Sequence, residues 1–241
     1  MVEAGSFTIT PAVAEDAAFI AKATLLAERA HVSVGMWDVY FKGESEETML
    51  KCLEECAATV EESHLHFRHF LLARSKKDGR AVSTCSSYVA PTSVIRTFDC
   101  LKDVTFRLIQ WNEKRCKMAR NSVEFLCCPE PWPALDIYSG SCFLETMYTE
   151  SSFRGQGVAS ALLQRHIDKN REAGAARAFL MCAIGNEGAL RMYNRLQLLQ
   201  VGRHCHSDTP HLLGVEGFYV LVREFPENSA KHKSDGVLVL P

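Results

Sequence analysis

The chain has 241 residues, a formal net charge of -2 and 47% apolar side chains. That length allows one large domain or two small ones, and that apolar content excludes a mainly disordered chain. The small charge gives no bulk electrostatic case for nucleic acid or an anionic membrane, and no apolar run is long enough to span a bilayer.

Residues 6–10 alternate polar and apolar, as a strand does. Pro11 follows. Glu15 and Asp16 then precede an Ala/Leu-rich helix to about residue 30, with acidic side chains where the helix dipole favours them. Residues 31–42 are irregular and hold His31, Gly35, Trp37 and Asp38. Ser45 caps a second helix, acidic in its first turn, to about residue 60. His64, His66 and His69 surround the start of a strand and read as solvated or satisfied side chains. Residues 67–73 and 81–89 read as hairpin strands joined by Lys77-Asp78-Gly79-Arg80, where Asp-Gly is a strong turn signal.

Residues 91–140 form an unusually long connection. Helical patterning runs from about 98 to 120 (Leu101, Val104, Leu108, Trp111) and stops before Pro129-Glu130-Pro131-Trp132-Pro133. The segment is too small for a core of its own, so it reads as an insertion within a domain. Residues 143–149 are strand-like and lead into Arg154-Gly155-Gln156-Gly157, a turn opening a helix whose apolar face runs from Val158 through Leu162 and Leu163 to Ile167. Residues 177–184 are a strand. Gly185-Asn186-Glu187 starts a short helix with Ala189, Met192, Tyr193 and Leu196 on its apolar face. Residues 199–204 and 217–222 are the last strands, and 227–241 form a polar tail.

The ten cysteines read as reduced thiols, since a chain of this length needs no stapling. No metal site is expected. Cys127-Cys128 is an adjacent pair, no Cys-x-x-Cys occurs, and His204-Cys205-His206 with His211 reads as a polar loop. The N-terminus lacks a basic-then-apolar leader, and Val2 excludes myristoylation, so a soluble cytoplasmic protein is expected.

The turn at 154–157 carries the chemistry. Two glycines let main-chain amides approach a ligand, and the first amides of a helix lack internal partners and sit at its positive end, a place that binds phosphate. The turn is not a Walker loop, because no Gly-Lys-Ser/Thr occurs, and it lacks the third glycine of the dinucleotide fingerprint. Its Arg-x-x-Gly-x-Ala pattern, Arg154 to Ala159, resembles the acetyl-CoA pyrophosphate loop of the GNAT superfamily of acyl-CoA-dependent N-acetyltransferases. Residues 8–16, 144–163, 185–193 and 201–203 resemble that family's segments in the right order, while Gln197-Leu198 stands where the family commonly has Gly-Phe.

The resemblance implies one α/β domain over 1–226: a mixed, mostly antiparallel twisted sheet flanked by helices, with the helical insertion before the fourth strand. It implies acetyl-CoA as cosubstrate, no metal, and a small-molecule or peptide amine as acceptor. It implies no nucleic-acid or membrane partner and allows a homodimer. Strands four and five would splay to admit the pantetheine arm, bonded by the main chain of Met147 and Thr149. Arg154, Gly155, Gln156, Gly157, Val158 and Ala159 would hold the pyrophosphate. Asn186 would bond the arm or cap its helix. Tyr193 would protonate the leaving thiolate, or serve as a half-buried aromatic. Glu145 matches a strand-four glutamate of the spermidine/spermine-type acetyltransferases, and would take a proton from the amine, or simply face solvent or a salt bridge. By strand alternation it shares a face with Phe143 and Met147. Acceptor contacts would come from the irregular segment around Trp37, the insertion and the 202–217 loop, with Trp37 itself packing in the core. The other reading is a catalytically weak acyl-CoA sensor or interaction module on the same fold.

Overall fold

The computed structural model describes residues 6–89, 92–124 and 140–228. They form a seven-stranded sheet in the order β1-β2-β3-β4-β5-β7-β6. The strands are β1 Phe7–Pro11, β2 Phe70–Ser75, β3 Ala81–Val89, β4 Ser141–Thr149, β5 Arg177–Ala183, β6 Leu199–His204 and β7 Phe218–Glu224. Every pairing is antiparallel except β4 with β5.

One face of the sheet carries α1 (Ala17–Arg29), α2 (Met36–Tyr40) and α3 (Glu46–Thr59). Ile20 and Ala57 from α1 and α3 are buried with Phe70 and Leu72 of β2. Between β3 and β4 lie α4 (Thr92–Ile109) and α5 (Glu113–Asn121), which complete this layer. Leu101, Val104 and Trp111 are buried with Trp37, Tyr40 and Leu53, so the insertion shares the core of the first helices. The opposite face carries α6 (Val158–Glu172), whose stripe Val158, Leu162, Leu163, Ile167 packs on Leu71, Val82, Cys142 and Leu144. Full burial of each such aliphatic side chain stabilises the fold by about 1.5–3 kcal/mol. Then come α7 (Glu187–Arg195) and the short α8 (Thr209–Leu213).

Several elements differ from the sequence reading. The irregular segment holds α2, because Asp38 accepts the Gly35 N–H and pairs with Arg29, closing a turn that no periodicity announced. β2 starts at Phe70 rather than 67, after a 3-10 turn at Phe67–His69. The insertion is two helices, broken where Asn112 caps the second. Cys127-Cys128, the Pro129–Pro133 run and most of the 227–241 tail lie outside the described residues.

Two irregularities shape the centre. β4 pairs with β5 only from Ser141–Arg177 to Phe143–Phe179, and the strands then part. β4 also carries a bulge against β3: Thr84 faces Tyr148 and Ser86 faces Glu145, so three steps on β4 match two on β3. Thr146 takes up the extra residue at a φ of 51°, an uncommon conformation for a β-branched side chain.

Candidate active site

The parting of β4 and β5 opens a cavity of about 520 Å³, bounded by β4, β5, the end of α1 and the start of α7. Its walls are partly bare main chain. The Glu150 N–H donates to the Val82 carbonyl (2.9 Å), and Ser83 Oγ donates to the Tyr148 carbonyl (2.7 Å). Main-chain groups alternate sides along an antiparallel strand, so those of Met147 and Thr149 turn toward the gap. The Thr149 carbonyl accepts Arg154 Nε–H at 3.0 Å. An extended ligand entering here meets strand backbone that no neighbouring strand uses.

The glycine turn sits at the mouth. Gly155 and Gly157 have φ of 74° and 77°, and Gly157 is the N-cap of α6. A Cβ on either would meet nothing within 4 Å, so backbone conformation, not space, demands glycine. Arg154 and Gly155 line the cavity. Val158, by contrast, the first residue of α6, is buried. The Gln156 side chain donates back to the Ser152 carbonyl (2.9 Å), which fixes the turn. Asn186 reaches the cavity wall, and its side chain accepts the Ala189 N–H (3.3 Å) as the cap of α7.

Tyr193, 7% exposed, closes the wall opposite β4. Burial pushes its phenol above its ordinary value, and nearby Cys182 and Cys85 add to the effect, so it is a protonated donor at neutral pH. Burial likewise raises Cys182 to about 12, which removes it as a thiolate nucleophile.

Glu145 stands on the other side. The bulge corrects the alternation argument: Met147 turns to the α6 face with Cys142 and Leu144, while Glu145 stays with Phe143 on the α1 face. There Glu145 Oε2 accepts the Tyr88 hydroxyl (2.9 Å) and lies 3.2 Å from His64 Nε2. Glu28, at the end of α1, lines the same cavity. Both carboxyls are pushed well above the ordinary carboxylate range. Removal from water is the main cause for each, and the charge of Glu145 adds to it at Glu28, whereas the Tyr88 hydrogen bond holds Glu145 back. Two interacting carboxyls of this kind titrate as a pair near neutrality.

Glu28 and Tyr88 are not named in the sequence reading, and His64 is read there only as a solvated or satisfied side chain; it is buried, with Thr97 and Glu145 beside its two ring nitrogens. Glu28 did leave a signal, since it continues the α1 stripe Ala17, Ile20, Ala21, Thr24, Leu25, in which an acid is out of place. His64 left none. Of the acceptor candidates, Trp37 is 1% exposed among Tyr40, Phe41 and Phe98, and Asp38 is committed to Arg29 and Gly35. Among the described residues no cluster of His, Cys, Asp or Glu has the makings of a metal site, and no helix is long and apolar enough to cross a membrane.

A seven-stranded sheet split after three parallel rungs, with a glycine turn opening a helix beside the split, narrows the comparison. The sequence model of the Acetyltransferase (GNAT) family matches residues 36–197. The chain belongs to the GNAT acetyltransferase family. Its curated relative "N-alpha-acetyltransferase MAK3" of Arabidopsis thaliana is 35% identical over 66 residues, 27% of this chain. The chain spans about a third (33%) of that relative's length. Among solved structures, the N-acetyltransferase from Staphylococcus aureus Mu50 superposes with a TM-score of 0.62 at 18% identity, over 90% of this chain and 100% of that one. The acetyltransferase yncA from Salmonella typhimurium, solved with its cofactor acetyl-CoA, superposes with a TM-score of 0.52 at 13% identity, over 91% and 94%. At these identities the structures establish the shared GNAT fold.

Proposed function

We propose that the protein is an N-acetyltransferase that moves an acetyl group from acetyl-CoA to a primary amine by direct attack within a ternary complex. One observation carries this reading: a proton acceptor, Glu145, and a proton donor, Tyr193, line one cavity at the place where β4 and β5 part. The main chain of Met147 and the Thr149 N–H fit a pantetheine arm, the Thr149 carbonyl being held by Arg154, and the amides of residues 154–159 fit a pyrophosphate. Acetyl-CoA would supply the activated acyl group and a thiolate leaving group.

The protein's residues then have defined tasks. An amine attacks only after losing a proton, and Glu145, pushed up to about 7, is matched to that task near neutral pH. Glu28, pushed up to about 8, keeps its proton near neutrality, so the pair presents a single negative charge, on Glu145, where a cationic acceptor approaches. A base in this range suits a peptide α-amine (pKa ~8) better than an alkylamine (pKa ~10.4). That ordering agrees with the name of the Arabidopsis relative. Tyr193 gives a proton or hydrogen bond to the departing sulfur. Holding the two reactants together supplies most of the remaining acceleration.

The test is thiol release from acetyl-CoA with a panel of a free tripeptide, an Nα-blocked lysine peptide and agmatine. Turnover with at least one amine, fastest with the tripeptide, supports the assignment. Thermal stabilisation by CoA without turnover on any of them would make the protein a binding module instead.

A further inference from the structure

Tyr193 lies in the last turn of α7, and that turn is closed in an unusual way. The Leu198 N–H donates to the Tyr193 carbonyl (3.1 Å), and the Gln197 N–H donates to the Asn194 carbonyl (3.0 Å). Paired bonds of this kind end a helix when the residue after its cap turns left-handed. Here that residue is Gln197, at a φ of 60°. Glycine is usual at such a place, because a Cβ disfavours the conformation. Gln197 is exposed, so packing of its side chain does not offset the strain. Leu198, by contrast, is fully buried in the same core as Tyr193, which ties the turn down on one side.

Arg223 ties it down on the other. It stands on β7 opposite Ala178 of β5, half-buried, and its Nη1 donates to the Leu196 carbonyl (3.1 Å). The same nitrogen lies 3.5 Å from Gln164 Oε1 of α6, whose amide donates to Asp168 (2.9 Å). Leu196 caps α7, and its carbonyl is one of the last four that a helix leaves without an internal partner. A guanidinium there also meets the negative end of the helix dipole. The sheet is thus joined to the end of the helix at the turn that Tyr193 belongs to. The tyrosine needs such support. Its hydroxyl has no hydrogen-bond partner among the described residues, so the direction in which it enters the cavity is set by its backbone and its packing.

We propose that Arg223 is a positioning residue for Tyr193: by holding the Leu196 carbonyl it keeps the left-handed turn at Gln197 closed, and so fixes where the phenol meets the departing sulfur. This rests on Tyr193 being the proton donor. A glycine at position 197 would adopt the turn unaided, so Gln197 and Arg223 are coupled: the side chain at 197 is tolerable because the arginine is present. Loosening the turn shifts the hydroxyl without removing it, and a misplacement of about 1 Å near a reacting centre is enough to slow the reaction.

The experiment is a kinetic double-mutant cycle on the full chain, with acetyl-CoA and the fastest amine of the panel. Arg223→Met should lower kcat about five- to tenfold, while CoA affinity by calorimetry and the acceptor KM stay within about twofold. Arg223→Lys, which keeps a charged donor, should lower kcat about two- to threefold. Gln197→Gly alone should keep the wild-type kcat, and added to Arg223→Met it should restore kcat to within about twofold of wild type. In the Tyr193→Phe protein, Arg223→Met should lower kcat no further. Amide exchange at Gln197 and Leu198 should quicken about tenfold in Arg223→Met and recover with Gln197→Gly. Wild-type kcat in Arg223→Met, the same loss in the Tyr193→Phe background, unmoved amide exchange, or no rescue by glycine overturns the proposal. Should Arg223→Met fail to fold, Arg223→Lys with and without Tyr193→Phe decides. If Tyr193→Phe itself turns over like wild type, or no amine is acetylated, the donor assignment falls and the positioning role with it. If Tyr193→Phe is slow and the cycle is additive, the Arg223 role alone falls.

Discussion

The two walls of the β4–β5 cleft are assembled by different means. The α6 wall is local: six consecutive residues, Arg154 to Ala159, make a turn whose two left-handed glycines lead into a helix. The α1 wall is collected from Glu28, His64, Tyr88 and Glu145, on four separate segments, and Thr97 stands behind them on a fifth. A local wall works through backbone geometry and tolerates most side chains. A collected wall works through specific side chains whose properties come from their neighbours. Substitutions should therefore separate cofactor affinity on one wall from proton chemistry on the other.

The largest effect is expected on the collected wall. Glu145→Gln should lower kcat/KM at pH 7 by about 10²–10³-fold while CoA affinity, measured by calorimetry, stays within about twofold. A comparable loss of CoA binding would break the division between the walls. Tyr193→Phe follows, with kcat reduced about 10–100-fold and little change in the acceptor KM.

Crossing to the local wall, Gly157→Ala places a side chain at a φ of 77°. With nothing within 4 Å to clash, the cost is conformational, about 1–2 kcal/mol of stability by denaturant melt, and CoA should bind about tenfold more weakly. Activity at saturating acetyl-CoA should fall far less than in the Glu145 variant.

Smaller still is the effect of Glu28→Gln, read as a pH dependence. The folded state holds protons on Glu28 and Glu145 at pH values where the unfolded chain has released them. The associated stability is complete below the unfolded value, about 4.3, and is lost as pH rises through the raised folded values. Glu28→Gln removes much of that loss. Its Tm advantage over wild type should therefore be larger at pH 8.5 than at pH 5, and the acid limb of kcat/KM should move down by several tenths of a pH unit. The smallest change is Asn186→Ala, which removes the cap of α7 at a cost of about 1 kcal/mol with kcat nearly intact. A large kcat loss there would give the side chain a role beyond capping.

The same contrast explains what could be read in advance. β3, β6 and the glycine turn follow from alternation, flanking turn residues and a short motif, so their bounds match the structure closely. The parting of the strands was expected from the family resemblance alone. The bulge at Thr146 was not visible, because threonine is an ordinary strand residue and the extra step exists only in the pairing with β3. The reassignment of Met147 to the α6 face follows from it. His64 was invisible for a related reason. Its ring nitrogens lie beside Thr97, 33 residues away, and Glu145, further still. Nothing in its immediate neighbours distinguishes it from His66. Glu28 was legible in principle, as an acid continuing an apolar stripe.

The three rungs joining β4 to β5 are the narrow waist of the whole sheet, with β1 to β4 on one side and β5 to β7 on the other. A linear molecule lying in the notch would act as a missing eighth strand and stitch the two halves along their length. Occupancy should therefore slow deuterium uptake at Met147 and Thr149 and make the halves melt as one, so that the ligand completes the scaffold as well as feeding the reaction.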